Sequence, residues 1–261
     1  MNILELEMTE ILKKLKAEYG VIEIKAEFEA EGSRIEEMMR LKDVTSAVNL
    51  PIILKIGGAE AVTDIYNGII LGVEGLIAPM VETSYAFSKY LGVIENLVQP
   101  DNREQIDFAI NIETITSVEN IDDIIALDKL DLLSSITFGR SDFVQSMGLS
   151  KSEVNSDIVY QHVKRVATLA KEKNLKFAMG GNVTKNSIEF IKALYSENLI
   201  HKYETRKVVF EASFIEQNPE EGLELALKFE LLWLKSKKRF YSKIKEEDEQ
   251  RILDLEKRIN S

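Results

Sequence analysis

The chain has 261 residues, 45% hydrophobic and 30% charged, a globular composition long enough for one α/β domain with a substantial core. A net charge of -11 with no dense basic patch excludes a nucleic-acid or anionic-membrane surface, and the lack of cysteine excludes disulfides and thiolate metal sites. No apolar run approaches the ~20 residues of a membrane span and the N-terminus lacks a signal-like pattern, so we expect a cytoplasmic protein.

In chain order, a helical lead-in (MTEILKKLKAEYG) precedes the strand VIEIKAEFE and the helix EEMMRLKDVTSAV. The strand PIILKIGG follows, then the helix EAVTDIYNGIILG, the strand VEGLIAPMV and the helix TSYAFSKYLGVIENL. DFAINIET and SSITFGRSD read as the next two strands, each followed by a helical stretch, and KFAMGGN, TKNSIEFIKALYSENL and TRKVVFEAS continue the alternation. Continuous apolar strands joined by helical crossovers are the pattern of a parallel sheet buried on both faces.

Neither GxGxxG nor GxxxxGK[ST] occurs, so the phosphate loops of open sheets are missing. Polar residues instead recur at the ends of many strands: Glu27 and Glu29, Lys55, Glu82, Asn111 and Glu113, Arg140 and Asp142, Asn182. Distributed strand-end polarity is how a closed barrel builds a site at one mouth. The expected fold is therefore a (β/α)8 TIM barrel over residues 1–218. Seven strands are visible, with MNILEL a candidate for the eighth.

Residues 219–261 form a long helical extension opening at Asn218 and Pro219, longer than one crossover requires. Leu225, Phe229, Leu232, Trp233, Phe240 and Ile244 fall near one face, and the surplus length suggests contact with a neighbouring subunit.

Residues two apart in a strand share a face, so Asn111 and Glu113 point the same way. Asp142 follows Gly139, where the backbone can turn and leave a carboxylate at the rim. Two carboxylates on adjacent strands repel unless a positive charge sits between them, and Mg2+ takes one or two carboxylates plus water and substrate oxygens. The alternative is that each acid pairs with a lysine or favours the next helix N-terminus. Lys55 ends another apolar strand, and the glycines after it, Gly57 and Gly58, permit close approach to a ligand. It is read either as a cation for substrate charge or as a partner of Glu27 or Glu29, which share strand parity with Lys25. Arg140 is a candidate substrate contact, and Glu204 to Lys207 are further rim candidates. His162 reads as a packing residue and His201 as a helix-end residue.

The succession KIGG, APMVE, NIET and GRSDF, spread over Val21 to Ser213, resembles the metal-dependent HpcH/HpaI aldolase and citrate lyase β-subunit family of the phosphoenolpyruvate/pyruvate barrels. The resemblance implies a divalent ion, Mg2+ or else Mn2+ or Co2+, held by Glu113 and Asp142. It further implies substrate contacts at Asn111 and Pro79, and trimers or hexamers that exchange their C-terminal helices. Two departures stand out: Lys55 occupies the place of a substrate-binding arginine, and EFEAEG lacks the histidine that serves in proton transfer. Glu27 or Glu29 then becomes the acid/base candidate.

The expected activity is metal-dependent carbon-carbon cleavage of a small 2-oxo acid or related carboxylate through a stabilised enolate. A Schiff-base aldolase using Lys25 or Lys55, and a barrel that binds ligand without turnover, are the competing readings.

Overall fold

A computed structural model describes residues 1–260. The first helix, α1 (Ile3–Glu18), is fixed by an Asn2 capping box in which the Asn2 side chain accepts from the backbone of Leu4 and Glu5 while Glu5 reaches back to Asn2 N–H. Strand β1 (Val21–Glu27) is followed by α2 (Ile35–Ser46), β2 (Ile52–Lys55), α3 (Val62–Leu71), β3 (Gly75–Ala78) and α4 (Ser84–Leu97). A single turn α5 (Pro100–Arg103), β4 (Asp107–Ile112), the short helices α6 (Ile115–Glu119) and α7 (Ile121–Ile124), and β5 (Ser135–Gly139) come next. Helix α8 (Arg140–Ser146), α9 (Asp157–Glu172), β6 (Lys176–Gly180), α10 (Ile188–Ser196), β7 (Lys202–Glu204), β8 (Val208–Glu211) and α11 (Pro219–Ile259) complete the chain.

The eight strands close into a barrel in sequence order. Strands β1 to β7 run parallel, while β8 runs antiparallel to both β7 and β1. This corrects the strand inventory in two ways: MNILEL belongs to α1 and its cap, and the missing strand is the three-residue KYE at Lys202–Glu204. With only Thr205 to Lys207 between them, β7 and β8 form a hairpin that has no room for a crossover helix.

Alternation along β1 sorts its side chains cleanly. Ile24 and Ala26 face out and join the large core between strands and helices, which is built from residues such as Leu54, Leu76, Ile110, Phe138 and Met179. Glu23, Lys25 and Glu27 face in. Inside the barrel a small apolar layer of Ile53, Ile77, Ala109 and Val209 separates a Glu23–Lys202 ion pair (2.6 Å) below from the charged mouth above. The interior is thus filled, and ligand access is confined to the mouth.

Helix α11 has 41 residues, about 60 Å of α-helix at 1.5 Å per residue. Gly222, Leu223, Ala226, Phe229, Leu232, Trp233 and Ser236 are buried, with α1 its main partner. Ile252, Leu253, Leu255 and Ile259 are exposed. No helix among the described residues is long and apolar enough to cross a membrane.

Candidate functional site

A cavity of about 560 Å3 opens at the C-terminal ends of the parallel strands. Its wall includes Lys25, Glu27 and Glu29 from β1 and beyond, Lys55 from β2, Asn111 and Glu113 from β4, and Asp142 after β5. Glu204 and Arg206 enter from the β7–β8 hairpin, and Leu227 and Glu230 from α11.

Local sequence explains how the acids reach this place. At the ends of β3 and β4 the chain reads VET and IET, and in both cases the threonine caps the next helix: Thr83 accepts from Ala86 N–H at 3.1 Å and Thr114 from Ser117 N–H at 3.1 Å. On β4, which ends at Ile112, the cap leaves Glu113 at the lip, while on β3, which ends at Ala78, Glu82 sits in the loop that follows. Loop and lip are tied by a 2.7 Å bond from the Thr114 hydroxyl to Glu82.

Glu113 is 1% exposed and takes three donors. Its Oε1 accepts from Met80 N–H at 3.0 Å, and its Oε2 from Asn111 Nδ2 at 3.1 Å and Lys55 Nζ at 3.3 Å. Met80 adopts φ 50°, a left-handed conformation that costs a non-glycine residue free energy and turns its N–H onto the carboxylate. Gly139, beside it on β5, leaves the space Glu113 needs: a Cβ there would lie 2.7 Å from Glu113 Oε2 and 2.8 Å from Glu113 Cβ. Asp142, half-buried in the first turn of α8, makes no hydrogen bond or ion pair among the described residues.

The lysines are each clamped between two acids. Lys25 lies 3.3 Å from Glu27 and 3.2 Å from Glu204, while Lys55 lies 2.9 Å from Glu29 and 3.3 Å from Glu113. Burial pushes the Lys25 amine down, but Glu204 and Glu27 overcome it and hold its pKa above the ordinary lysine range. Lys55 behaves likewise, with burial opposed by Glu113 and Glu29 and a net upward shift. An amine held protonated is a poor nucleophile, which weighs against the Schiff-base reading for both. For Glu27, burial raises the carboxyl pKa but Lys25, Arg206 and Lys55 lower it further, so the net shift is down and it stays ionised.

Of the sequence-predicted site residues, Lys25, Glu27, Glu29, Lys55, Asn111, Glu113 and Asp142 converge on this cavity. Arg140 does not, and this corrects its reading as a substrate contact. Helix α8 begins at Arg140, which turns the side chain away beneath the mouth. There the fully buried guanidinium donates to the carbonyls of Gly180 (3.1 Å), Gly181 (3.1 Å) and Val154 (3.2 Å), to Asn155 Oδ1 (2.6 Å) and to Ser187 Oγ (3.2 Å). Burial pulls its pKa down to about 9, still above neutrality, so Arg140 is a charged tie that fixes the β6 end. Gly57 and Pro79 also lie outside the wall: Gly57 N–H donates to Asp64 at 2.7 Å, and Pro79 is buried just before Met80. His162 packs on Phe143 with ring centroids 5.2 Å apart, and His201 Nδ1 accepts from Phe177 N–H at 3.1 Å.

The donor set fits a hard divalent cation. All donors are oxygens, and the wall carries six carboxylates against four cationic side chains, an excess of two negative charges. Asn111 Oδ1 is a buried acceptor with no partner, which points to a cation or donor from outside the protein. No cluster of three or more His, Cys, Asp or Glu able to hold a metal occurs among the described residues.

Comparison with solved structures returns barrels of the same kind. An HpcH/HpaI aldolase from Desulfitobacterium hafniense DCB-2 superposes with a TM-score of 0.60 at 15% identity, covering 76% of this chain and 81% of that one. The citrate synthase SbnG gives 0.62 at 17%, covering 86% and 89%, and an HpcH/HpaI aldolase/citrate lyase family protein from Burkholderia cenocepacia J2315 gives 0.54 at 14%, covering 69% and 77%. At these identities the superpositions establish a shared TIM-barrel-like fold. No curated protein matches the chain. The HpcH/HpaI aldolase/citrate lyase family model matches residues 33–192, from the first crossover through the two acid-bearing strand ends to α10, and the chain belongs to that family.

Proposed function

We propose that this chain is a divalent-metal-dependent carbon-carbon lyase acting on a small 2-oxo acid or related carboxylate, with Glu113 and Asp142 as ligands of Mg2+, Mn2+ or Co2+. The observation that carries this reading is the contrast at neighbouring strand ends: three donors fix Glu113, none holds Asp142, and both line one acidic cavity. When bound, the ion supplies Lewis acidity toward substrate oxygens.

The chain's own groups do the rest. Lys55, held protonated, places a fixed positive charge where negative charge develops on substrate oxygen as the bond breaks. Asn111 Oδ1, a buried acceptor without a partner, accepts a hydrogen bond from a substrate hydroxyl such as that of a 4-hydroxy-2-oxo acid. Glu29, on the far side of Lys55 and less buried than Glu113, is the proton-transfer candidate in place of the family histidine. Glu27 stays ionised and anchors Lys25 and Arg206. The exposed apolar residues of α11 suit packing on further copies, as a homo-oligomer of three or six chains requires.

Turnover of a panel of 4-hydroxy-2-oxo acids and citrate-like acids, followed with Mg2+ and with EDTA, tests the reading. We expect EDTA to stop cleavage, and Glu113→Gln and Asp142→Asn each to lower kcat by ~100-fold or more with circular dichroism unchanged. Full activity in both variants would sink the proposal.

A further inference from the structure

Away from the mouth, a second cavity of about 500 Å3 lies beside the middle of α11, bounded on its other side by the N-terminal halves of α1 and α2. Its long wall is one face of α11, since Trp233, Lys237, Phe240, Ile244 and Glu247 recur three and four residues apart. Trp233 is buried, while Phe240 and Ile244 line the hollow with 53% and 44% of their surface exposed. A concave site of this size, with apolar and aromatic walls and a few polar groups, is the usual form of a small-molecule site.

The polar groups say what such a ligand carries. The Trp233 indole N–H is a buried donor with no acceptor among the described residues, and buried donors are nearly always paired, so the cavity calls for an acceptor from outside the chain. Lys237 Nζ lies 5.6 Å from the centre of the Trp233 ring, which stands a cation beside that donor. The charges of the wall are unequally committed. Glu5 accepts from Arg40 Nε (3.1 Å), Ser236 Oγ (3.3 Å) and Asn2 N–H (2.7 Å), and Glu37 from the Tyr241 hydroxyl (2.6 Å) and Arg34 N–H (3.3 Å). Lys237, Arg239 and Lys243 make no side-chain hydrogen bond among the described residues, Lys237 and Lys243 each having an acid only at 3.7 Å. Against these three cations, Glu36 and Glu247 are the two acids of the wall left equally free, so one positive charge is in surplus.

We infer that this cavity binds an amphipathic monocarboxylate, with its acid head beside Trp233 and Lys237 and its apolar tail along Phe240 and Ile244. The head supplies the acceptor that the indole lacks and neutralises the surplus cation. The tail covers apolar side chains that otherwise meet water. The site stands apart from the barrel mouth and does not depend on the activity proposed there.

Trp233 is the only tryptophan of the chain, so its fluorescence reports on this cavity. Titration of the full chain with decanoate, decanol and butanoate tests the inference. Decanoate should change the Trp233 emission saturably, with butanoate at least ~10-fold weaker for want of a tail and decanol about 5-fold weaker for want of a charge. Lys237→Gln combined with Arg239→Gln should remove the advantage of decanoate over decanol, and Ile244→Asp should abolish the response to both. Arg239 and Ile244 are exposed, so the fold is not at stake in either change. Glu113→Gln should leave the response as it is. Equal affinities of the wild type for decanoate and decanol would overturn the acid site. A response that survives Ile244→Asp, or that disappears in Glu113→Gln, would place the ligand elsewhere and overturn it as well. So would the absence of any response to decanoate, the result expected if a second copy of the chain fills the hollow.

Discussion

Glu113 shows how much of a site is made by neighbours that never touch substrate. Its position depends on a threonine cap after it, an amide from a left-handed Met80, and the bare Cα of Gly139. Gly139 has φ -93°, which any residue adopts, so its requirement is purely one of space. Gly139→Ala should therefore leave the fold intact and displace the carboxylate. We expect divalent-ion affinity and turnover to fall by ~10- to 100-fold, as misplacement of a catalytic group by about 1 Å does. Metal titration beside a thermal melt separates this from simple destabilisation, which would lower Tm and leave affinity at low temperature unchanged. The pairing of Asn111 with Glu113 was legible because strand parity survives to the last residue. Arg140 was not, since at Gly139 the two-residue alternation gives way to the helical turn of α8, which carries the next side chain beneath the mouth.

At the scale of elements, the strand that escaped sequence reading is the one whose charges look wrong for a core. KYE has a lysine and a glutamate that point into the barrel, where they are neutralised by Glu23 at 2.6 Å and by Lys25 at 3.2 Å. An apolar-run criterion passes over such a strand, because its burial rests on ion pairs with a partner 179 residues away. Helix α11 divides in the opposite sense: its long amphipathic run was plain in sequence, and the structure separates an anchored half from a projecting one. Phe229, fully buried, should cost about 3–5 kcal/mol when cut to alanine. Deleting residues 248–261, which removes the exposed Ile252, Leu253, Leu255 and Ile259, should change the stability of the barrel by less than ~1 kcal/mol. If these residues pack on further copies, sedimentation will show a smaller assembly, and an unchanged mass would assign them no such role.

For the whole molecule, one barrel mouth gathers six carboxylates and tempers them with lysines that are themselves pinned. Such a mouth, with two more negative than positive side chains, favours a cation over a bare anion. The barrel, its long final helix and the acid pair were readable from the order of apolar runs and the motifs that end them. The hairpin was not, because its placement follows from a strand reversal that leaves no periodic signal, although Glu204 to Lys207 read as rim candidates and Glu204, Thr205 and Arg206 do line the cavity. The central claim is that Glu113 and Asp142 together hold one divalent ion. Titration with Mn2+ followed by electron paramagnetic resonance measures it directly: one ion should bind per wild-type chain, with affinity falling at least about 10-fold in Glu113→Gln and again in Asp142→Asn. Undiminished Mn2+ binding in both variants, or none in the wild type, would contradict it.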